Sequence, residues 1–402
     1  MNLKVLFYPD DHPIQRIPDD LKGKLARAQS NAVEQEFPNA GELCARVLND
    51  TRIMATVPKQ LYGEHVRQLA DREFKELVGF YGDLLKSEGV PGQAIHHNAA
   101  NLAERTQLVT AFDEPDAVIE DVRRKVEEKV NGFPRTAADI LCGNNPGDVL
   151  DPYILAATQS LMFGGDFEPA IEAMVAHKAL MMVEGLMGHL HEDVIGAMRG
   201  NVRIPEPRGK DQETLDPLNN PFPGSDVVQP PKSEGEGMRF HQLKSKTGSA
   251  KGGDGRRLGE QLKRLQDLYG GAMFYHALIG NTLRGHRSRA GVEKAAAGIV
   301  VLVGEASFEA LTGSSVGPQL LLRLYQSAFT EVAARTGYRV DAMAAGIVAT
   351  FKERADREGD GFLDVILRDA TSGPREQQDN RLYKPSGRGK RKDRNAAQET
   401  LF

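Results

Sequence analysis

The sequence predicts an α/β chain: a mostly helical N-terminal module over residues 1–150, then a core over residues 151–372 in which strands lie among helices. Three observations carry this. Apolar residues across residues 21–200 recur at helical spacing. Short alternating or β-branched runs then appear at residues 226–229, 238–244 and 298–304. Around them the helical period returns, and strands interleaved with helices define the α/β class.

In the N-terminal module, Leu61, Val66, Leu69, Phe74, Leu77 and Val78 recur at roughly helical spacing. Residues 118–130 are charged and amphipathic, with acids early and lysines late, the order a helix dipole favours. Residues 174–195 read as one long helix with Met181, Leu186, Leu190 and Val194 as its buried stripe, ending at Gly196 to Gly200. Five prolines between Ile204 and Pro223 then interrupt regular structure. Residues 226–229 and 238–244 follow as two strands, near enough in sequence to be neighbours in one sheet. Residues 257–269 are helical, 273–279 suit either a strand or a helix, and the β-branched run at 298–304 has the composition of a buried strand. Helices continue through Leu367. From Ser372 the chain is rich in Gly, Gln, Asp and Arg, with six basic residues against one acid between Lys384 and Arg394, and residues 373–402 are expected to form a disordered basic tail.

Composition bounds the function. In 402 residues a formal net charge of −5 with 27% charged residues is an ordinary surface, so nucleic-acid binding would have to come from local patches. The two cysteines, Cys44 and Cys142, make neither a CxxC metal knuckle nor a disulfide framework, which suits a reducing, cytoplasmic setting. The first residues lack a basic stretch followed by a long apolar one, and the longest apolar run, near residues 295–303, is too short for a membrane span. A soluble intracellular protein is expected.

The candidate chemistry concentrates at residues 240–249, FHQLKSKTGS. Side chains two apart on a strand share a face, so Gln242 and Lys244 point the same way, and a neighbouring strand can bring Asp226 to them. Phosphodiester hydrolysis needs a divalent cation that polarises the phosphate and acidifies a water, with a cationic group to hold that water. Asp226 is the candidate anionic ligand of Mg²⁺, the Leu243 carbonyl and the Gln242 side-chain oxygen are candidate neutral ligands, and Lys244 would position the water. Hard oxygen donors favour Mg²⁺ over zinc. Ser245, Lys246, Lys251, Arg256 and Arg257 suit phosphate contacts beside the cut site, and Arg284 and Arg287 belong to a second basic stretch able to reach DNA. Alone, a QxK triplet is an exposed strand face and a basic run a solvated loop. Asp226 upstream and the Gly/Ser/Lys loop downstream favour the functional reading.

Asp226 with Gln242-Leu243-Lys244 resembles the PD-(D/E)XK nuclease signature, and the wider LKSKTGS…RRLGEQL segment is similar to type II restriction endonucleases. The run IVVLVGEASFEALTG at residues 299–313 resembles a segment that follows the catalytic strands of such enzymes. The resemblance spans residues 174–324. It implies a restriction-endonuclease-like mixed sheet flanked by helices and a Mg²⁺-dependent endonuclease cutting double-stranded DNA at a specific sequence. A homodimer is implied as well, since two strands require two cuts. Two departures matter. Gln242 stands where the family usually has an acid, which removes a negative charge and weakens metal affinity. Family members also often carry a Glu on a helix before the first catalytic strand, a place that Glu184 or Glu192 could fill.

Other motifs are weaker. His177, His189 and His191 do not share a helix face as a zinc site requires. Residues 356–367 resemble half of a calcium loop but end in Leu367 where a bidentate Glu is needed. The final Gln398-Glu399-Thr400-Leu401-Phe402 resembles a peptide that binds the bacterial sliding clamp, with Gln398 for a polar slot and Leu401 and Phe402 for an apolar pocket. Two alternatives to a restriction enzyme follow. One is a less specific defence or repair nuclease recruited by the clamp; the other is a catalytically inactive DNA-binding or regulatory protein on a nuclease scaffold.

Overall fold

The computed structural model describes residues 7–141, 151–205, 214–246, 254–280, 288–314, 316–337 and 340–371. Among these the protein is α/β and mostly helical, with fifteen α-helices and one five-stranded mixed sheet. It packs as two compact units, Met1–Val130 with Met182–Tyr338, and Asn131–Met181 with Arg339–Phe402. Residues of the helical N-terminal stretch and of the strand-bearing stretch therefore share one unit.

The strands are β1 (Val202–Arg203), β2 (Val227–Gln229), β3 (Arg239–Lys246), β4 (Ala272–Ile279) and β5 (Val300–Val303), and they lie side by side in that order. β1 pairs antiparallel with β2 and β2 antiparallel with β3, whereas β4 and β5 continue parallel from β3. Parallel neighbours need a crossover, supplied by the helices Asp254–Tyr269 and Arg289–Ala295. Period-two alternation sends Val228, Phe240 and Met273 into a cluster with Leu262, Leu265 and Tyr269 of the first crossover helix. Val227, Leu243 and Leu278 enter the opposite cluster with Leu190, Val194, Leu320 and Leu324. Helices thus cover the sheet on both faces, and each fully buried leucine contributes about 1.5–3 kcal/mol. β4 is largely buried on both faces, so its pattern lacks a clean alternation and suited a helix equally well from sequence. At its start, Gly271 (φ +89°) lies so close to β3 that a Cβ would stand 2.0 Å from the Met238 carbonyl oxygen.

The reading of residues 298–304 as a buried strand is corrected. Among the described residues β5 pairs with β4 alone, and Val300 is 40% exposed. β-branched composition reports suitability for a pleated surface, whereas burial depends on which neighbours the topology supplies.

The N-terminal helices of the first unit make their own core. Asn39 begins Ala40–Thr51 by accepting the Glu42 N–H at 2.9 Å, and Arg52 ends it in the left-handed conformation. Leu77, Tyr81, Leu84 and Leu85 form the buried stripe of Phe74–Ser87, packing with Leu43, Val47, Leu102 and Ala103. The Tyr81 hydroxyl meets that of Thr106 at 2.7 Å, which satisfies both inside this core. In the second unit, Leu155, Ile171 and Val175 pack with Ile347, Phe351, Phe362 and Ile366. Asp151 caps its first helix, Pro152–Met162, by accepting the N–H groups of Tyr153 and Ile154. No helix among the described residues is long and apolar enough to cross a membrane.

Candidate functional site

β2 and β3 build the site. Their register sets Val227 opposite His241, so Asp226, one residue before β2, faces Gln242, and the Asp226 N–H donates to the His241 carbonyl at 2.8 Å. Asp226 is buried, and its Oδ2 accepts from the Leu243 N–H at 2.6 Å and from Gln242 Nε2 at 2.5 Å. The same Nε2 lies 3.3 Å from the Leu243 carbonyl oxygen. Its partially positive amide nitrogen therefore bridges the two oxygens a cation would use, and half a turn of the amide would put Oε1 there instead.

A pocket of about 240 Å³ opens on this group and is lined by Asp226, Gln242, Lys244, Arg257 and Gln261 together with the 222–225 turn. Half-buried Lys244 has no hydrogen-bond or ion-pair partner among the described residues. Gln261 is a lining residue that the sequence reading missed. It is 3% exposed, and its Oε1 has no partner among the described residues. Gly224 makes this approach possible: it has φ +76°, and a Cβ there would stand 2.7 Å from Gln261 Oε1. The signal was present, because Gln261 follows Arg257 by one helical turn and so shares its face.

Behind the site, Arg203 of β1 donates to the Asp226 carbonyl at 3.0 Å, to Asp193 at 2.9 Å and to Glu192. Lys125 reaches Asp193 at 2.7 Å. Burial pushes the Asp193 carboxyl up, but hydrogen bonds from Lys125 and Arg203 hold it below its ordinary range. Glu192 is thus engaged by Arg203, and neither it nor the exposed Glu184 lines the Asp226 pocket. Asp226 is the one acid lining that pocket among the described residues.

The phosphate-contact candidates separate. Arg257 lines the pocket, Arg256 is largely exposed and pairs with Glu260 at 2.8 Å, and Ser245 is half-buried near Gly188. Lys246 ends β3. Lys251, Arg284, Arg287 and the clamp-type residues Gln398, Leu401 and Phe402 lie outside the described residues.

On the other face of β3, His241 Nδ1 and His276 Nε2 are 2.9 Å apart, stacked with Phe274, in a fully buried setting. Burial pushes His276 down to about 3. Burial, then the neighbouring His276 and Arg239, push His241 down as well. Both rings are therefore neutral near pH 7, which suits one donating to the other.

No protein-family model matches the chain, and no curated protein matches it. The donor set itself is compatible with a hard divalent cation: one carboxylate, one backbone carbonyl and one amide oxygen after rotation. With one acid, such a site has less negative charge than a two-carboxylate site.

Proposed function

We propose that the protein is a Mg²⁺-dependent endonuclease of double-stranded DNA, most like a sequence-specific type II restriction enzyme. The observation that supports it is the convergence of Asp226, Gln242 and Lys244 on one polar pocket, with the Leu243 carbonyl oxygen 3.3 Å from Gln242 Nε2 behind it. A divalent cation held there would polarise the scissile phosphate and lower the pKa of an attacking water. Asp226 supplies the negative charge for that cation, and its two N–H donors fix the carboxylate's direction without rotamer freedom. Lys244, which has no acid partner among the described residues, is available to hold the nucleophilic water and to offset charge building on the phosphate. Arg257 at the pocket rim suits an adjacent phosphate, and a backbone contact of this kind orients DNA without reading its sequence.

A cleavage assay with varied duplex DNA and Mg²⁺ tests the reading. Asp226→Asn and Lys244→Ala are each expected to slow cleavage by about a hundredfold or more, the scale of removing a charged group that acts in the transition state. Intact DNA with the wild-type protein across substrates and metal concentrations refutes it. Metal-independent DNA binding without cleavage would favour the inactive DNA-binding alternative.

A further inference from the structure

The large apolar side chains that water reaches are not spread evenly along the chain. Six of the thirteen exposed among the described residues, Tyr153, Ile154, Leu161, Met162, Leu180 and Met181, fall within residues 153–181 of the second unit. The helix Pro152–Met162 holds four of them and carries no Asp, Glu, Lys, Arg or His, alone in this among the described helices of eight or more residues. Its inward side is accounted for, because Pro152 and Leu155 are buried and Leu155 packs with Ile171, Val175 and Phe362. Its outward side is Tyr153, Ile154, Ala157, Ser160 and Leu161, all exposed and spaced as one helical face. Surface helices ordinarily place charge there, so an uncharged apolar outward face calls for a partner that covers it.

Three properties of the face fit a second copy of itself. The first is area. Tyr153 is 72% exposed, Ile154 56% and Leu161 85%, so with Ala157 and Ser160 each chain leaves on the order of 450 Å² of this face in water, taking about 200 Å² for a fully exposed large side chain. Two such faces together bury on the order of 900 Å², close to the roughly 1,000 Å² of a specific contact and in the range of weak, reversible pairs. The second is the order of side chains: large Tyr153 and Ile154 at the start, small Ala157 in the middle and large Leu161 toward the end. Two of these helices crossing antiparallel on a two-fold axis at Ala157 approach closely at the small residue and set Tyr153 and Ile154 of each copy against Leu161 of the other, an isologous contact. The third is charge. The face meets its own copy without like-charge repulsion, whereas it offers a charged partner nothing to pair with.

We propose that the protein self-associates through this face, the helix Pro152–Met162 of one chain lying antiparallel on the same helix of a second copy to form a reversible dimer with a micromolar dissociation constant.

Sedimentation velocity of the full chain tests it across about 1–100 µM, a range that brackets micromolar dissociation constants. The chain is expected to pass from monomer to dimer as concentration rises. Tyr153→Glu and Leu161→Lys each put a charge on the exposed face, at helix ends whose dipole favours those signs, so each should fold as the wild type does, checked by far-UV circular dichroism. Alone, each should raise the dissociation constant at least about tenfold, because its charge is desolvated against an apolar side chain of the other copy. Mixed in equal amounts, the two should pair more tightly than either does with itself, since the two-fold sets residue 153 of one chain against residue 161 of the other. A chain that stays monomeric throughout overturns the proposal and assigns the face to another part of the same chain or to a different partner. A dimer that neither variant weakens overturns it too, as does a mixture no tighter than the single variants. The proposal is independent of the Asp226 reading: Asp226→Asn should dimerise as the wild type does whether or not the protein cleaves DNA, so the failure of one is distinguishable from the failure of the other.

Discussion

Replacing Gln242 by glutamate introduces a second carboxylate beside Asp226 and probes the proposed metal site directly. In the wild-type protein Gln242 Nε2 donates to Asp226 Oδ2 at 2.5 Å. Gln242→Glu puts a second carboxylate there, and two unit charges about 3 Å apart repel by about 5–6 kcal/mol at an effective dielectric near 20. Retaining a proton on a glutamate at pH 7.5 costs about 4 kcal/mol against its ordinary value of about 4.3, the smaller of the two penalties. The cation-free variant should therefore take up one shared proton and lose about 4 kcal/mol at pH 7.5, a large part of a typical domain's stability. The sign follows from linkage: the folded pair holds its proton more tightly than the unfolded chain does. The deficit is thus absent below about pH 4.3, reaches about 1 kcal/mol at pH 5 and grows as pH rises. Mg²⁺ bound between the carboxylates removes the repulsion, and at a hundred times its dissociation constant it returns about 2.7 kcal/mol. Urea unfolding in EDTA and in Mg²⁺ at pH 5 and 7.5, followed by far-UV circular dichroism because the chain has no tryptophan, measures all three effects. Wild-type stability of the variant in EDTA at pH 7.5, or a Mg²⁺ response no greater than that of wild type, refutes the reasoning.

Two further outcomes are expected. Below about pH 6.5 the unfolded chain protonates its histidines while buried His276 resists down to about 3, so stability present above pH 6.5 is lost as pH falls, by about 2 kcal/mol at pH 5 from this residue alone. His241 acts in the same direction, and His241→Leu combined with His276→Leu should flatten that slope in urea titrations at pH 7.5 and 5. Arg199→Met strips partners from Glu36 and from the Val109 and Phe112 carbonyls, and should lower unfolding stability by about 2–4 kcal/mol, read from the urea midpoint.

The parts of the fold legible in the sequence were those set by local periodicity. β3 showed its alternation, and the face shared by Gln242 and Lys244 followed from a period of two. The Phe167–Ala197 helix was legible from Leu186, Leu190 and Val194, which are buried, although its full length was not, and Met181, read as part of the same stripe, is 52% exposed. What escaped was decided by distant partners. β1 is two residues long, too short for any period, yet it places Arg203 against the Asp226 carbonyl and draws Glu192 away from the pocket. Arg199 ties residues near 31–36 to the end of the Gly92–Ala111 helix, a pairing that no local pattern encodes.

The same distinction explains how an ordinary strand motif becomes a candidate site. Local pattern determines which side chains share a face; it does not determine whether that face is wet. At Gln242 that is decided by the 222–225 turn and the Asp254–Tyr269 helix, which meet where Gly224 admits Gln261. Their closure leaves Asp226 4% exposed and Gln242 3% exposed while Lys244 keeps access to the pocket. A buried carboxylate is costly unless it is paired, and here two N–H donors satisfy Asp226 Oδ2. The carboxylate lining open space is the feature with which a divalent cation would interact. For that reason, substitutions at Asp226 and Gln242 carry more information about the site than any change among the exposed basic residues around it.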